Sequence, residues 1–313
     1  MKYMLNDSRI IEKEERENKI GEFPAFIEVQ TSSMCNSKCI VCPYTKVKLH
    51  TPQGKMERKL WNKLIDEFMY NRSNILNIEP YLNNEPFLDK DFLELLYTLK
   101  PIERYVEIST NLQCCTNEMI DEIIKNKLVN ELRCSIFGFN GDSYKRIMGI
   151  EMRDVLEKFK YLSEMNKSAG SPLKIQFTMI GHKILISDDE LREAEDYALA
   201  LGVNFKVYPY LDRAENNDLI TPKRIFEQRG RVIGCKLGYL KDRIAIWHDG
   251  MVALCCQDWK RNHIIGNLSE CSIKELWNSN TINHYRDNIY SNKNDIQDLL
   301  CKKCALAVVE EIR

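Results

Sequence analysis

From Phe23 onward the chain alternates short apolar runs with longer stretches in which apolar residues recur every three or four positions. Phe26-Ile-Glu-Val-Gln30 has the make-up of a strand, and 57–70 that of an amphipathic helix. The same rhythm gives strands at 75–79, 105–109, 131–137, 173–180 and 203–208. Helices are expected at 89–99, after an N-cap at Thr116, at 142–165 and at 188–201. Strands alternating with helices argue for an α/β fold with a parallel sheet closed by right-handed crossovers, which places its ligand site at the carboxyl ends of the strands. After Pro209 the rhythm breaks at the polar run Asp212-Arg-Ala-Glu-Asn-Asn217. Beyond it a strand at 244–247 meets His248-Asp249-Gly250, and Asp-Gly is a strong hairpin signal. The expected division is an N-terminal arm at 1–22, an alternating domain at 23–212, a linker at 213–234 and a small C-terminal domain at 235–313.

Composition narrows the classes. The chain has 313 residues, 44% hydrophobic and 29% charged, which is ordinary for a globular protein. Its 45 basic residues are interleaved with 46 acidic ones, so no basic stripe marks a nucleic-acid partner. Apolar runs fall short of the ~20 residues a membrane span needs. The first twenty residues carry many charges and no apolar centre, which excludes a signal peptide. Twelve cysteines in a large chain without an export signal point to metal binding or catalysis in a reducing compartment, and a cytoplasmic location is expected.

Those cysteines fall into two sets. Cys35-Asn-Ser-Lys-Cys39-Ile-Val-Cys42 brings three thiolates close after the first strand. A [4Fe–4S] cluster takes four thiolates when closed, so three leave one iron open, much as catalytic metal sites keep a vacant position. The alternatives are a zinc knuckle, whose nearest extra ligand is His50, and reactive surface thiols. The second set is Cys235, Cys255, Cys301 and Cys304, enough to close a [4Fe–4S] cluster or a structural zinc site. The adjacent pair Cys255-Cys256 leaves open which of the two ligates. Cys114, Cys115, Cys134, Cys256 and Cys271 remain, and free cysteine is commonly a small buried hydrophobe.

The first run resembles the signature of the radical S-adenosylmethionine (SAM) enzymes, in which the open iron chelates the methionine end of SAM. The usual aromatic residue before the third cysteine is Val41 here. Tyr81-Leu-Asn-Asn-Glu-Pro86, directly after the second strand, resembles the superfamily's Gly-Gly-Glu-Pro motif, with Asn83 and Asn84 in place of the glycines. The resemblance implies that backbone carbonyls and Glu85, in the turn closed by Pro86, bind the methionyl ammonium through charge-assisted hydrogen bonds. Asparagine is the next most tolerant residue after glycine at such backbone angles. An ordinary polar turn is the plain alternative. Ile108-Ser-Thr-Asn111 resembles the family's Thr-Asn-Gly-type turn, implying Ser109 and Asn111 as contacts for the SAM carboxylate or ribose. Ser135 matches a fourth-strand Ser-Ile-Asp-Gly in which Phe137 replaces the acidic residue. In Tyr144-Lys-Arg-Ile-Met-Gly149, Met148 takes the usual arginine position and Arg146 is the nearest charge. Helix caps and surface roles suit these residues equally.

The order Gly250…Cys255, then Cys301-Lys-Lys-Cys304, resembles the C-terminal SPASM/twitch extension and implies one auxiliary [4Fe–4S] cluster. The implied fold is a partial (β/α)6 TIM-like barrel with a small iron–sulfur domain. The implied activity is reductive cleavage of SAM to a 5′-deoxyadenosyl radical that takes a hydrogen atom from a substrate carbon, with a flavodoxin or ferredoxin as electron donor. The substrate radical then loses an electron, giving oxidation, or receives a hydrogen atom from a thiol, giving an epimer. Cys256 and Cys134 are the candidate donors, and Arg213 is a candidate for binding an anionic or polyhydroxylated substrate of sugar or aminocyclitol type. The rivals are a peptide maturase or epimerase, whose usual leader-binding domain has no room in residues 1–22, and a non-catalytic zinc-binding protein.

Overall fold

The computed structural model describes residues 20–217, 219, 230–291, 293 and 295–311. Most of the expected N-terminal arm and much of the expected linker lie outside these.

Six parallel strands appear in the expected order: β1 Phe26–Val29, β2 Asn77–Glu79, β3 Tyr105–Thr110, β4 Glu131–Ser135, β5 Lys174–Gly181 and β6 Asn204–Pro209. Between them run α1 Tyr44–Val47, α2 Arg58–Tyr70, α3 Phe92–Leu99, α4 Asn117–Asn126, α5 Gly141–Met148, α6 Val155–Ser168 and α7 Asp188–Ala200. Local chemistry fixes several boundaries. Thr116 caps α4 by accepting from the Met119 amide, and Ser187 caps α7 by accepting from Glu190. In α2, Trp61, Leu64 and Phe68 share one face and are buried, as their helical spacing requires.

One expectation is corrected. The helix expected over 142–165 is two helices, because Gly149 takes a left-handed conformation (φ 68°) and ends α5. The carbonyls freed at that end are used: Met148 accepts from the amide of Lys38 at 2.9 Å and Ile147 from that of Ile40 at 2.9 Å. The break therefore pins the cysteine loop.

The second half of the chain contributes β7 Gly230–Cys235, β8 Arg243–Ile246, β9 Met251–Ala253, β10 Ile264–Asn267 and β11 Ala307–Glu311, with α8 Ile273–Trp277 and α9 Asn280–Tyr290. Strand β8 pairs in parallel with β1, and β9 and β10 follow as an antiparallel meander. Among the described residues this gives a nine-stranded open sheet, ordered β10-β9-β8-β1-β2-β3-β4-β5-β6. Strands β7 and β11 form a separate antiparallel pair.

Side chains alternate across the sheet. Ile27, Ile78, Ile108, Leu132, Phe177 and Ile244 face the helices and join the apolar core. The opposite, inner face is polar yet buried. Arg243 bonds Glu28 at 2.8 Å and Glu79 at 2.7 Å; Arg133 bonds Glu107 at 2.7 Å and Glu131 at 3.1 Å. Buried charges persist only when paired, and these pairs line the interior beneath the strands' carboxyl ends.

Candidate active site

The cysteine loop, residues 30–43, leaves the carboxyl end of β1 and is held on every side. Tyr44 accepts through its hydroxyl from the Cys35 amide at 3.0 Å. Asn111 donates to Asn36 at 2.7 Å and to Ser37 at 2.8 Å, and Asn217 donates to the Ile40 carbonyl at 3.0 Å. The three thiols are close enough to act on one another. Burial, with the nearby Glu85 and Cys42, pushes Cys35 up to about 12. Burial, then Cys42 and Cys35, pushes Cys39 well above its ordinary value. Three half-buried thiols set close together are a donor set that a cationic iron centre completes, since coordination deprotonates thiols outright.

The turn 81–86 pairs with that loop through the Glu85 amide, which donates to the Met34 carbonyl at 2.8 Å. Asn83 adopts φ 57°, the left-handed region that the resemblance to a glycine motif requires, and Asn84 accepts from the Leu82 amide at 2.8 Å. Glu85 is 3% exposed and braces the ends of two strands. It accepts from Thr110 at 2.6 Å and Phe87 at 3.3 Å through Oε1, and from the Asn111 amide at 2.7 Å through Oε2. A carboxylate has about four acceptor positions, so Oε2 keeps one for an ammonium group. Pro86 opens a buried 3-10 turn at Pro86–Leu88. Ser109 and Ser135 meet at 3.3 Å on the inner face, and Thr178 joins Ser135 at 3.4 Å. The side chain of Asn111 is thus spent on the cysteine loop, and Arg146 donates to the Leu185 carbonyl at 2.6 Å, a bracing role. Met148 instead brings its sulfur to 3.5 Å from that of Cys39.

Cys235, Cys255, Cys301 and Cys304 line one cavity, whose other walls include Leu237, Tyr239 and Ile289. Burial, then Cys256, Cys301, Cys304 and Cys235, drives the Cys255 thiol well above its ordinary value. Cys255 and Cys256 open a turn closed by the Asp258 amide donating to the Cys255 carbonyl at 3.1 Å, and of the two only Cys255 lines that cavity. Cys256 faces Glu28, Tyr239 and Arg213, and its sulfur accepts from Gln257 at 3.2 Å. Arg213 stands near both Cys42 and Cys256, drawing each thiol downward against burial.

Cys134 is placed differently. It is 0% exposed, on the helix-facing side of β4 beside Cys115, opposite Ser135. That position withdraws it as a hydrogen donor to the interior. Sequence reasoning passed over Glu28, Tyr239, Gln257 and Gln30, all gathered around Cys256 or the turn. A signal existed for Glu28: with Glu79, Glu107 and Glu131 it puts a carboxylate inside each of four successive strands, where alternation alone predicts apolar or neutral residues.

The sequence model of the radical SAM superfamily matches residues 29–196, more than half of the chain, and the protein belongs to that superfamily. A second model, an iron–sulfur cluster-binding domain of the SPASM type, matches residues 235–305. Among solved structures, BtrN in complex with AdoMet and 2-DOIA shares the fold with a TM-score of 0.62 and 17% identity, over 90% of this chain and 92% of that one. Streptococcus suis SuiB bound to precursor peptide SuiA gives a TM-score of 0.67 and 16% identity, over 96% of this chain and 73% of that one. The anSMEcpe structure with bound AdoMet gives 0.56 and 16%, over 90% and 86%. A comparison with curated protein sequences finds no match. The protein is a SAM-dependent iron–sulfur enzyme, and both thiol sets suit such cofactors in donor type and burial.

Proposed function

We propose that the enzyme acts on a small polar substrate of the sugar or aminocyclitol type and inverts one of its carbon centres. Cys35, Cys39 and Cys42 would hold the [4Fe–4S] cluster that binds SAM, and Cys235, Cys255, Cys301 and Cys304 an auxiliary one. When bound, SAM and that first cluster supply a 5′-deoxyadenosyl radical that takes a hydrogen atom from a substrate carbon. The observation that carries the reading is the place of Cys256, off the auxiliary cavity, with its sulfur 3.2 Å from the Gln257 amide and with Glu28, Tyr239 and Arg213 near it. Its S–H bond breaks as a new C–H bond forms on the substrate face opposite the one attacked. The sulfur radical left behind is restored by one electron and one proton, the electron from a flavodoxin- or ferredoxin-type donor. Arg213 offers a planar fork of donors to hydroxyl or anionic groups, and the surrounding carboxylates and tyrosines give the interior the polar lining a polyol needs.

Turnover in D2O with candidate sugars and aminocyclitols tests this. Deuterium appearing at the inverted carbon supports it, while an oxidised product without deuterium assigns the chemistry to oxidation. A second reading, a peptide substrate, is favoured by the likeness to SuiB, a structure bound to its precursor peptide. Among the described residues no helix is long and apolar enough to cross a membrane; the setting we propose is the cytoplasm, where thiols stay reduced.

A further inference from the structure

The turn at 81–86 is fastened to the second half of the chain at two points that bracket one short strand. Asn83 donates through Nδ2 to the carbonyl of Cys256 at 3.3 Å, across 173 positions of sequence. Gln30 donates through Nε2 to the Leu82 carbonyl at 2.7 Å, and its Oε1 lies 2.9 Å from Nδ1 of His248. His248 stands just before β9, and Cys255 and Cys256 stand just after it. The turn is therefore tied to both ends of β9, directly at Cys256 and through Gln30 at His248. A glycine at position 83 would satisfy φ 57° equally well. The backbone needs nothing from the asparagine side chain. What that side chain adds is the bond to Cys256, one residue from a thiol that faces the auxiliary cavity.

We propose that Asn83 couples SAM binding at the turn to the redox state of the auxiliary centre. An ammonium seated against the carbonyls of 83–84 and Glu85 fixes the turn, and the bond from Asn83 fixes the carbonyl of Cys256. That sets the direction of Cys255 toward its three partner thiols. Coupling of this kind is reciprocal: if SAM changes the ease of reducing the auxiliary centre, reduction changes SAM affinity by the same factor. Binding of the substrate-activating cofactor would then ready the centre next to Cys256 before any chemistry occurs. The inference rests on the cofactor assignment and not on epimerisation.

The test is a potentiometric titration followed by electron paramagnetic resonance on the reconstituted holoenzyme, with and without SAM and with no substrate. The auxiliary component is the one missing from the C301A/C304A variant. We expect SAM to move its midpoint by about 59 mV, a tenfold coupling for a one-electron couple. In N83G, which keeps the backbone angle, and in N83D, which keeps the shape but loses the donor, the shift should fall to a third or less while SAM still binds in equilibrium dialysis. The proposal is overturned if SAM leaves the wild-type midpoint unmoved, or if both variants shift as the wild type does. It is equally overturned if both lose SAM binding, which would make Asn83 a ligand and not a coupler. Because no substrate is present, failure here is distinguishable from failure of the epimerase reading.

Discussion

Gly149 presses against Lys38. A Cβ at position 149 would come within 2.7 Å of the Lys38 Cβ and 2.8 Å of its carbonyl oxygen, and the residue holds φ 68°. The end of α5 can accept the amides of Lys38 and Ile40 only because nothing stands between them. G149A should therefore cost about 2 kcal/mol from the left-handed backbone alone, with overlap added. It should also loosen the loop that carries Cys35, Cys39 and Cys42. We expect a lower Tm by circular dichroism and less iron retained after reconstitution. An unchanged Tm with full iron content would sink the argument.

That contact also explains what the sequence could and could not disclose. The alternating strands were legible because each apolar run is flanked by an amphipathic stretch, and the cysteine spacing was legible because ligands close in sequence are close in space. The break at Gly149 was not, since a lone glycine inside a helical pattern is often tolerated, and its left-handed turn against Lys38 shows only in three dimensions. The different placements of Cys255 and Cys256 were hidden for a similar reason. Two identical neighbours are told apart only by which side of the chain each side chain leaves. Asn111 illustrates the reverse case: the motif placed it at the site, and the structure shows its amide spent on Asn36 and Ser37.

Cys255 lines the auxiliary cavity and Cys256 does not, which predicts opposite phenotypes. Replacing Cys255 by alanine removes one of four thiols around a cavity, so iron after reconstitution should fall from about eight per chain toward about four. C256A should keep the full iron complement and continue to form 5′-deoxyadenosine, while losing deuterium incorporation from D2O. Iron analysis with mass spectrometry of the products checks both. Loss of iron from C256A with retention in C255A would reverse the assignment.

Arg243 serves two carboxylates at once, Glu28 at 2.8 Å and Glu79 at 2.7 Å, and all three are nearly inaccessible. Removing a single partner from such a set strands buried charge, at about 3–5 kcal/mol. R243M should therefore destabilise strongly in urea unfolding. The triple change R243M/E28Q/E79Q should recover much of the loss, because the stranded charges go with it. Equal instability of the two variants would show that the packing of the guanidinium on Phe26, 4.7 Å from the ring centre, matters more than its charge.

Glu85 makes stability depend on pH in an unusual direction. Burial pushes its carboxyl from 4.5 up to about 7, against the hydrogen bonds from Asn111, Thr110 and Phe87 that pull it down. Between those two values the folded chain holds a proton that the unfolded chain has released. Stability then falls as pH rises, because the native state binds more protons. The contribution is fully present below 4.5 and gone above about 7, a change of about 3 kcal/mol. In cofactor-free protein, the free energy of unfolding by urea should decline across this window more steeply in the wild type than in E85Q, whose side chain cannot titrate. The slope is the readout, since glutamine also alters the bond from the Asn111 amide and so shifts the whole curve. With SAM present the decline should shrink, because its ammonium favours the ionised carboxylate, and SAM affinity should tighten from pH 6 to pH 8, on either side of that value of about 7. Parallel slopes for wild type and E85Q would mean that Glu85 keeps an ordinary carboxylate value, and the brace it forms would have to be read as a fully ionised one.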